Sequence, residues 1–188
     1  MRKLKLQVQI SIDGFVGGPN GELDWMTWGW SDDIKQYVEG LTHSCDTILL
    51  GRKMTDGFVT HWENYMDKPE SEEYPFAKLM VEYRKYVFSK TLDESKWNNT
   101  ILEHSTDKID ELKKQDGKDI IVYGGADFVS SLIKENRIDE YNLFVNPTAI
   151  GNGLRIFGDG DQRLNLKLKE SQAFDCGIVL NTYTPNQK

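Results

Sequence analysis

Residues 120–133, IIVYGGADFVSSLI, place a strand, a turn and a helix in immediate succession. Ile120, Ile121, Val122 and Tyr123 form a continuous apolar run, short enough for a buried strand and bounded by glycine. Phe128, Val129, Leu132 and Ile133 then recur at helical spacing, so a helix starts near Ala126 or Asp127. Gly124 and Gly125 stand at the junction, where the absence of a Cβ permits a sharp turn and close approach of the backbone. A strand feeding directly into a helix is the unit from which layered α/β sheets are built.

The same alternation recurs along the chain. Apolar runs at 4–12, 47–50, 86–88 and 141–145 read as strands, and residues 32–41, 74–83, 105–114 and 128–136 as helices. The expected fold is α/β, with a central mostly parallel sheet flanked by helices. The C-terminal region departs from that pattern. Leu164, Leu166 and Leu168 alternate with Asn165, Lys167 and Lys169, and a second extended run follows Asp175-Cys176-Gly177, so an antiparallel hairpin closes the chain. With 188 residues, no repeat and no Gly/Ser-rich linker, one domain over 1–188 is expected.

Composition excludes several classes of function. A net charge of −7 argues against nucleic acid, whose affinity comes from Lys and Arg neutralising phosphates. A small anion remains compatible, because local cations and backbone amides outweigh the global charge at short range. No apolar run approaches the roughly 20 residues needed to span a bilayer, and the alternating N-terminus lacks the apolar block of a signal peptide. Cys45 and Cys176 have no CxxC and no nearby histidine at the spacing of a zinc site, so neither a metal site nor a disulfide is expected and a reduced, cytoplasmic protein is.

Candidate sites gather where strands end. Beyond 120–123, the amides opening the next helix and its positive dipole suit a phosphate, although a glycine turn can equally be plain architecture. The run at 47–50 ends in Gly51, Arg52 and Lys53, and that at 86–88 in Ser89 and Lys90. Ligands of open α/β sheets collect at such carboxyl ends, and a guanidinium matches a phosphate in shape. After the first strand come Asp13, Gly14 and Gly18 in a long glycine-rich loop, then Trp25, Trp28 and Trp30. The tryptophans suit an aromatic wall for a flat ligand, a core or a subunit contact. Asp32 and Asp33 open the next helix, as caps or as proton donors.

With these residues in place, the chain resembles the dihydrofolate reductase-like superfamily, and within it the C-terminal reductase domain of the riboflavin biosynthesis protein RibD. The markers are SIDGFVGG at 11–18, ILLGRKM at 48–54, VFSKTL at 87–92, the 120–133 segment and LFVNPTAIGNGLRIF at 143–157. The resemblance implies NADPH as cofactor. By analogy, Gly124, Gly125, Ala126 and Asp127 cradle its pyrophosphate, while Arg52 and Lys53, with Ser89 and Lys90, hold the adenosine 2′-phosphate beside Gly51. Ile12, Asp13, Gly14 and Gly18 then border the nicotinamide, and a homodimer is implied. Where dihydrofolate reductases carry Gly-Arg-x-Thr, the threonine here comes one position later, at Thr55.

The reading that follows is an NADPH-dependent reductase acting on a small heterocyclic substrate, a pterin or a ribosylaminopyrimidine. Asp32 or Asp33 supplies the proton, with Asp13 as a third candidate. The competing class is a nucleotide-binding or sensor protein without turnover, which keeps the glycines and Arg52 but needs no acid. A third reading is flavin binding in a flavodoxin-like sheet.

Overall fold

The computed structural model describes residues 1–158 and 163–186. Its strands and helices alternate as the apolar runs require. Strand β1 (Leu4–Ser11) is followed by α1 (Asp32–His43), β2 (Cys45–Gly51), α2 (Arg52–Glu63), α3 (Tyr74–Glu82), β3 (Arg84–Phe88) and β4 (Thr100–Glu103). Helix α4 (Lys108–Lys114), β5 (Asp119–Gly124), α5 (Ala126–Lys134), β6 (Glu140–Asn146), β7 (Leu166–Ala173) and β8 (Val179–Pro185) complete the order. All eight strands join one sheet in the order β4-β3-β2-β5-β1-β6-β8-β7. Strands β1 to β6 run parallel, whereas β8 pairs antiparallel with β6 and β7 with β8. The carboxyl ends of the six parallel strands therefore share one edge.

Period-two alternation gives each sheet face its own helices. Leu4, Leu6, Val8 and Ile10 of β1 pack with Ile109 and Leu112 of α4 and with Val129 and Leu132 of α5. The opposite face carries α1, α2 and α3. There Ile34 and Val38 of α1 meet Phe144, Phe174, Ile178 and Leu180, while Met80 of α3 joins Ile48, Leu50, Val87 and Ile121. Between these two apolar clusters, β1 presents Lys5, Gln7, Gln9 and Ser11, in register with Glu140, Asn142, Phe144 and Asn146 of β6. A strip of polar side chains thus crosses the middle of the sheet on the α1 side.

Two elements go beyond the sequence expectation. Helix α2 carries Met54, Phe58 and Trp62 on one face against the cluster around Ile48 and Leu50. Its helical period is offset by Gly57 and by β-branched Thr55, Val59 and Thr60, all weak helix formers, so packing against β2 and α3 decides its form. Strand β4 is four residues long at the sheet edge, with Ile101 turned out to solvent. So short an edge strand carries little apolar signature. No helix among the described residues is long and apolar enough to cross a membrane.

Candidate cofactor and substrate site

Two strand-to-helix junctions meet at the carboxyl edge of the sheet. Strand β2 passes through Gly51 into α2, and β5 passes through a cis Gly124–Gly125 peptide into α5, with Leu50 in register with Gly124. A Cβ on Gly51 would sit 2.8 Å from Phe128 Cβ and 3.0 Å from the Gly125 nitrogen. A Cβ on Gly124, at φ +149°, would sit 2.8 Å from Met54 Sδ. Glycine is required because the junctions lie against each other. Both helices take a glycine as N-cap, Gly51 for α2 and Gly125 for α5, and neither cap supplies a side-chain hydrogen bond. Two adjacent helix starts therefore offer first-turn amides and the positive ends of two dipoles. Thr55 Oγ1, buried, donates to Gly51 O at 3.1 Å and fastens the first turn of α2 to its strand.

Cations surround this edge. Arg52 and Lys53 are exposed in the first turn of α2. Lys53 Nζ pairs with Asp127 Oδ2 at 2.8 Å, across to α5, whereas Arg52 has no hydrogen bond or ion pair among the described residues. Gly51 is in register with Phe88, so Ser89 and Lys90 follow directly beside α2. Ser89 is buried and its Oγ accepts from the backbone N–H groups of Thr91 and Leu92, both at 3.2 Å, which shapes the turn. Lys90 is exposed.

The loop after β1 is tied to the segment after β6. Ile12 N donates to Thr148 O, Val16 N to Leu154 O and Leu154 N to Gly17 O. Asp13 closes the arrangement: its carboxylate accepts from Ser11 Oγ at 2.6 Å, from Gly151 N at 2.7 Å and from Ile150 N. The Ser11 hydroxyl, followed by those amides, holds the Asp13 carboxyl below its ordinary range. Gly14 takes φ +89°, Gly18 N donates to Glu22 O, and the Ile12 side chain is exposed. Arg155, to which the resemblance gives no role, places its guanidinium over the Phe15 ring at 4.1 Å.

At the start of α1 the two carboxylates differ. Asp33 accepts from Ser31 Oγ, from Ile34 N at 2.8 Å and, across the sheet end, from Asp175 N at 3.0 Å, while Ser31 Oγ accepts from Cys176 N. The Ser31 hydroxyl foremost, and the two amides after it, hold the Asp33 carboxyl down. A carboxylate accepting this many bonds fastens α1 to the β7–β8 turn. Asp32 is exposed and makes no hydrogen bond or ion pair among the described residues. The tryptophans separate as well. Trp30 packs on the cluster of Ile34 and Phe144 with its Nε1 sealed and unpartnered, Trp28 is exposed, and Trp25 Nε1 donates to Glu22 O at 3.0 Å.

Among the described residues no group of three or more His, Cys, Asp or Glu side chains could hold a metal ion, and Cys45 and Cys176 are unbridged. A polar cleft of about 290 Å³ lined by Arg2, Asp46, Thr47, Arg84, Gln115 and Asp116 lies at the opposite edge of the sheet. Its buried Arg2 is occupied by Asp46, Thr47 Oγ1 and Lys118 O, so it braces that edge.

The fold and this edge define a dihydrofolate reductase-like α/β protein. The family model of the RibD C-terminal domain matches residues 2–180, and the chain belongs to that family. YyaP of Bacillus subtilis (strain 168), itself uncharacterised, is 36% identical over 97% of this chain and 94% of its own. A candidate riboflavin biosynthesis protein from Shewanella sp. PV-4 superposes with TM-score 0.74 at 20% identity, covering 100% of both chains. Dihydrofolate reductase from Enterococcus faecalis, solved with NADP(H), superposes with TM-score 0.61 at 14% identity, over 98% of this chain and 97% of that one. At such identities the two structural likenesses concern the fold.

Proposed function

We propose that this chain is a one-domain, NADPH-dependent reductase that transfers a hydride to a small heterocycle, a pterin or dihydrofolate-like molecule or a 5-amino-6-(5-phosphoribosylamino)uracil-like one. The observation that carries the reading is the pair of glycine-capped helix starts packed at one sheet edge beside Arg52. A Cβ at Gly51 or Gly124 would strike the neighbouring junction, so glycine lets the two helix starts lie together, and their first-turn amides fit a dinucleotide pyrophosphate. Bound there, NADPH would supply the hydride from its nicotinamide.

The chain's own residues bind and orient. Gly124, Gly125, Ala126 and Asp127 receive the pyrophosphate on backbone amides, and Gly51, Arg52, Lys53, Ser89 and Lys90 receive the 2′-phosphate. Ile12, Gly14 and Gly18 border the nicotinamide, and Asp13 holds their loop in shape. Asp32, with no partner of its own, delivers a proton to the acceptor nitrogen directly or through water. Asp33 positions the helix that carries Asp32. The protein works as a cytoplasmic homodimer on this reading.

Titrating the protein with NADPH and NADH, followed by tryptophan fluorescence, tests the proposal. Micromolar binding that prefers NADPH is expected, and Arg52→Ala should weaken NADPH by about tenfold or more while leaving NADH little changed. Absence of binding to either nucleotide would overturn it. One observation favours a second reading, nucleotide binding without turnover: Asp13 and Asp33 are both engaged as ionised acceptors, leaving Asp32 alone to supply a proton. Asp32→Asn should abolish reduction and spare NADPH affinity; unchanged turnover would remove Asp32 from the mechanism.

A further inference from the structure

On the α1 side of the sheet, one chain of hydrogen bonds leaves a side-chain amide donor preset and unpartnered. Thr27 N donates to Asn146 Oδ1 at 2.9 Å, and Asn146 Nδ2 donates to Phe144 O at 3.2 Å and to Gln9 Oε1 at 2.8 Å. A backbone N–H only donates and a backbone carbonyl only accepts, so Thr27 and Phe144 fix which way the Asn146 amide faces. Asn146 is fully buried, and the only group it can turn toward Gln9 is N–H. Gln9 must answer with its oxygen. Its Nε2 is then directed away, with two N–H groups and no partner among the described residues.

That nitrogen is not sealed in the core. Among the described residues the sealed side-chain atoms without partners are Gln7 Oε1, Trp30 Nε1 and Tyr141 OH, whereas Gln9 is half-buried. Gln9 lies two residues before the end of β1, on the same face as Ser11 and in the polar strip between the two apolar clusters. The bond from Thr27 places the loop of Trp25 and Trp28 beside it. A donor that is oriented from behind and open in front favours a ligand acceptor and disfavours a ligand N–H in the same place.

We infer that Gln9 is a specificity-determining residue of the substrate site, donating from Nε2 to an acceptor edge, a ring carbonyl or ring nitrogen, of a flat heterocycle. The inference rests on the reductase reading in one respect, that the carboxyl end of β1 beside the start of α1 is the substrate side. Asn146 is a positioning residue, acting through Gln9.

Two pteridines of equal outline test it: lumazine, which presents carbonyls at positions 2 and 4, and 2,4-diaminopteridine, which presents amino groups there. Binding of each is measured by calorimetry on the full chain, with NADPH titrated separately as the check on the folded cofactor site. Wild type should prefer lumazine. Gln9→Leu should weaken lumazine by about three- to tenfold, the loss of one neutral hydrogen bond, and leave NADPH affinity unchanged. Gln9→Glu keeps one oxygen toward Asn146 and presents the other outward, so it should reverse the preference.

Equal weakening of both pteridines in Gln9→Leu would mean a packing effect and overturn the donor role. So would unchanged lumazine binding in a variant that still binds NADPH. A wild type that binds NADPH but neither pteridine would overturn this inference and leave the cofactor reading standing. Lumazine binding sensitive to Gln9 in a protein that ignores NADPH would do the reverse.

Discussion

Lys53 Nζ lies 2.8 Å from Asp127 Oδ2, and this ion pair joins the first turns of α2 and α5 across the two glycine junctions. Both side chains are about three-quarters exposed, at 76% and 79%, so the pair contributes little to stability. Its weight falls on the charge of the edge. Asp127 places a carboxylate where the proposed pyrophosphate would lie and engages Lys53, one of the cations proposed to hold the 2′-phosphate. Asp127→Asn should therefore tighten NADPH by about two- to fivefold at low salt, with the gain shrinking as salt screens it. Fluorescence titration at two ionic strengths checks this, and weaker binding in the variant would show that the carboxylate orients the cofactor.

Gly51 tests whether the junctions need their close approach. An added methyl would stand 2.8 Å from Phe128 Cβ and 3.0 Å from the Gly125 nitrogen, and neither neighbour is the tip of a flexible side chain. One of the two junctions must shift. Gly51→Ala should cost about 1–3 kcal/mol in urea unfolding, the range for overpacking, and should also weaken NADPH. A variant with unchanged stability and unchanged binding would show that the edge relaxes freely.

Much of this arrangement was legible in the residues. The 120–133 segment alone implied a strand, a glycine turn and a helix, and β5, Gly124–Gly125 and α5 stand there. The hairpin turn at Asp175-Cys176-Gly177 was equally plain, with Gly177 at φ +87°. Helix α2 was less so, because its aromatic stripe competes with weak helix formers and only the sheet beneath resolves the conflict. Hydrogen-bond partners were beyond reach altogether. Asp13 and Asp33 look alike as candidate acids in the sequence, yet amides more than a hundred residues away hold both as acceptors. Gln9 carried a signal in retrospect, as one of two glutamines, Gln7 and Gln9, on the polar face of an alternating strand. What fixes its orientation is Asn146, on a different strand.

Asp33 carries a pH dependence whose sign follows from its bonds. Its carboxyl is held below the ordinary value by the Ser31 hydroxyl first, then by the amides of Asp175 and Ile34. A carboxylate depressed on folding stabilises above its unfolded pKa, and that contribution disappears as pH falls through the folded one. Asp33→Asn should lower Tm at pH 7, and its difference from wild type should narrow below about pH 4. Melting curves at pH 7, 4 and 3 decide it; a difference that stays constant would mean that the amide replaces the carboxylate without loss of the helix tether.

Lys85 supplies the most deeply placed test. The residue is 2% exposed, and its Nζ donates to Met80 O, Val81 O and Tyr83 O, each at 2.8 Å, closing the C-terminal end of α3. Burial pushes its ammonium down to about 8, so at pH 7 it still has the three protons those bonds use. Lys85→Met leaves the carbonyls unanswered and should cost about 1–3 kcal/mol at pH 7. Between the folded value and the ordinary lysine value near 10.5 the unfolded chain binds more protons than the folded one, so wild-type stability rises with pH across that window. The gap between wild type and Lys85→Met should accordingly widen from pH 8 to pH 10 in urea unfolding. A gap that narrows instead would mean that the helix carbonyls hold the charge more strongly than burial opposes it.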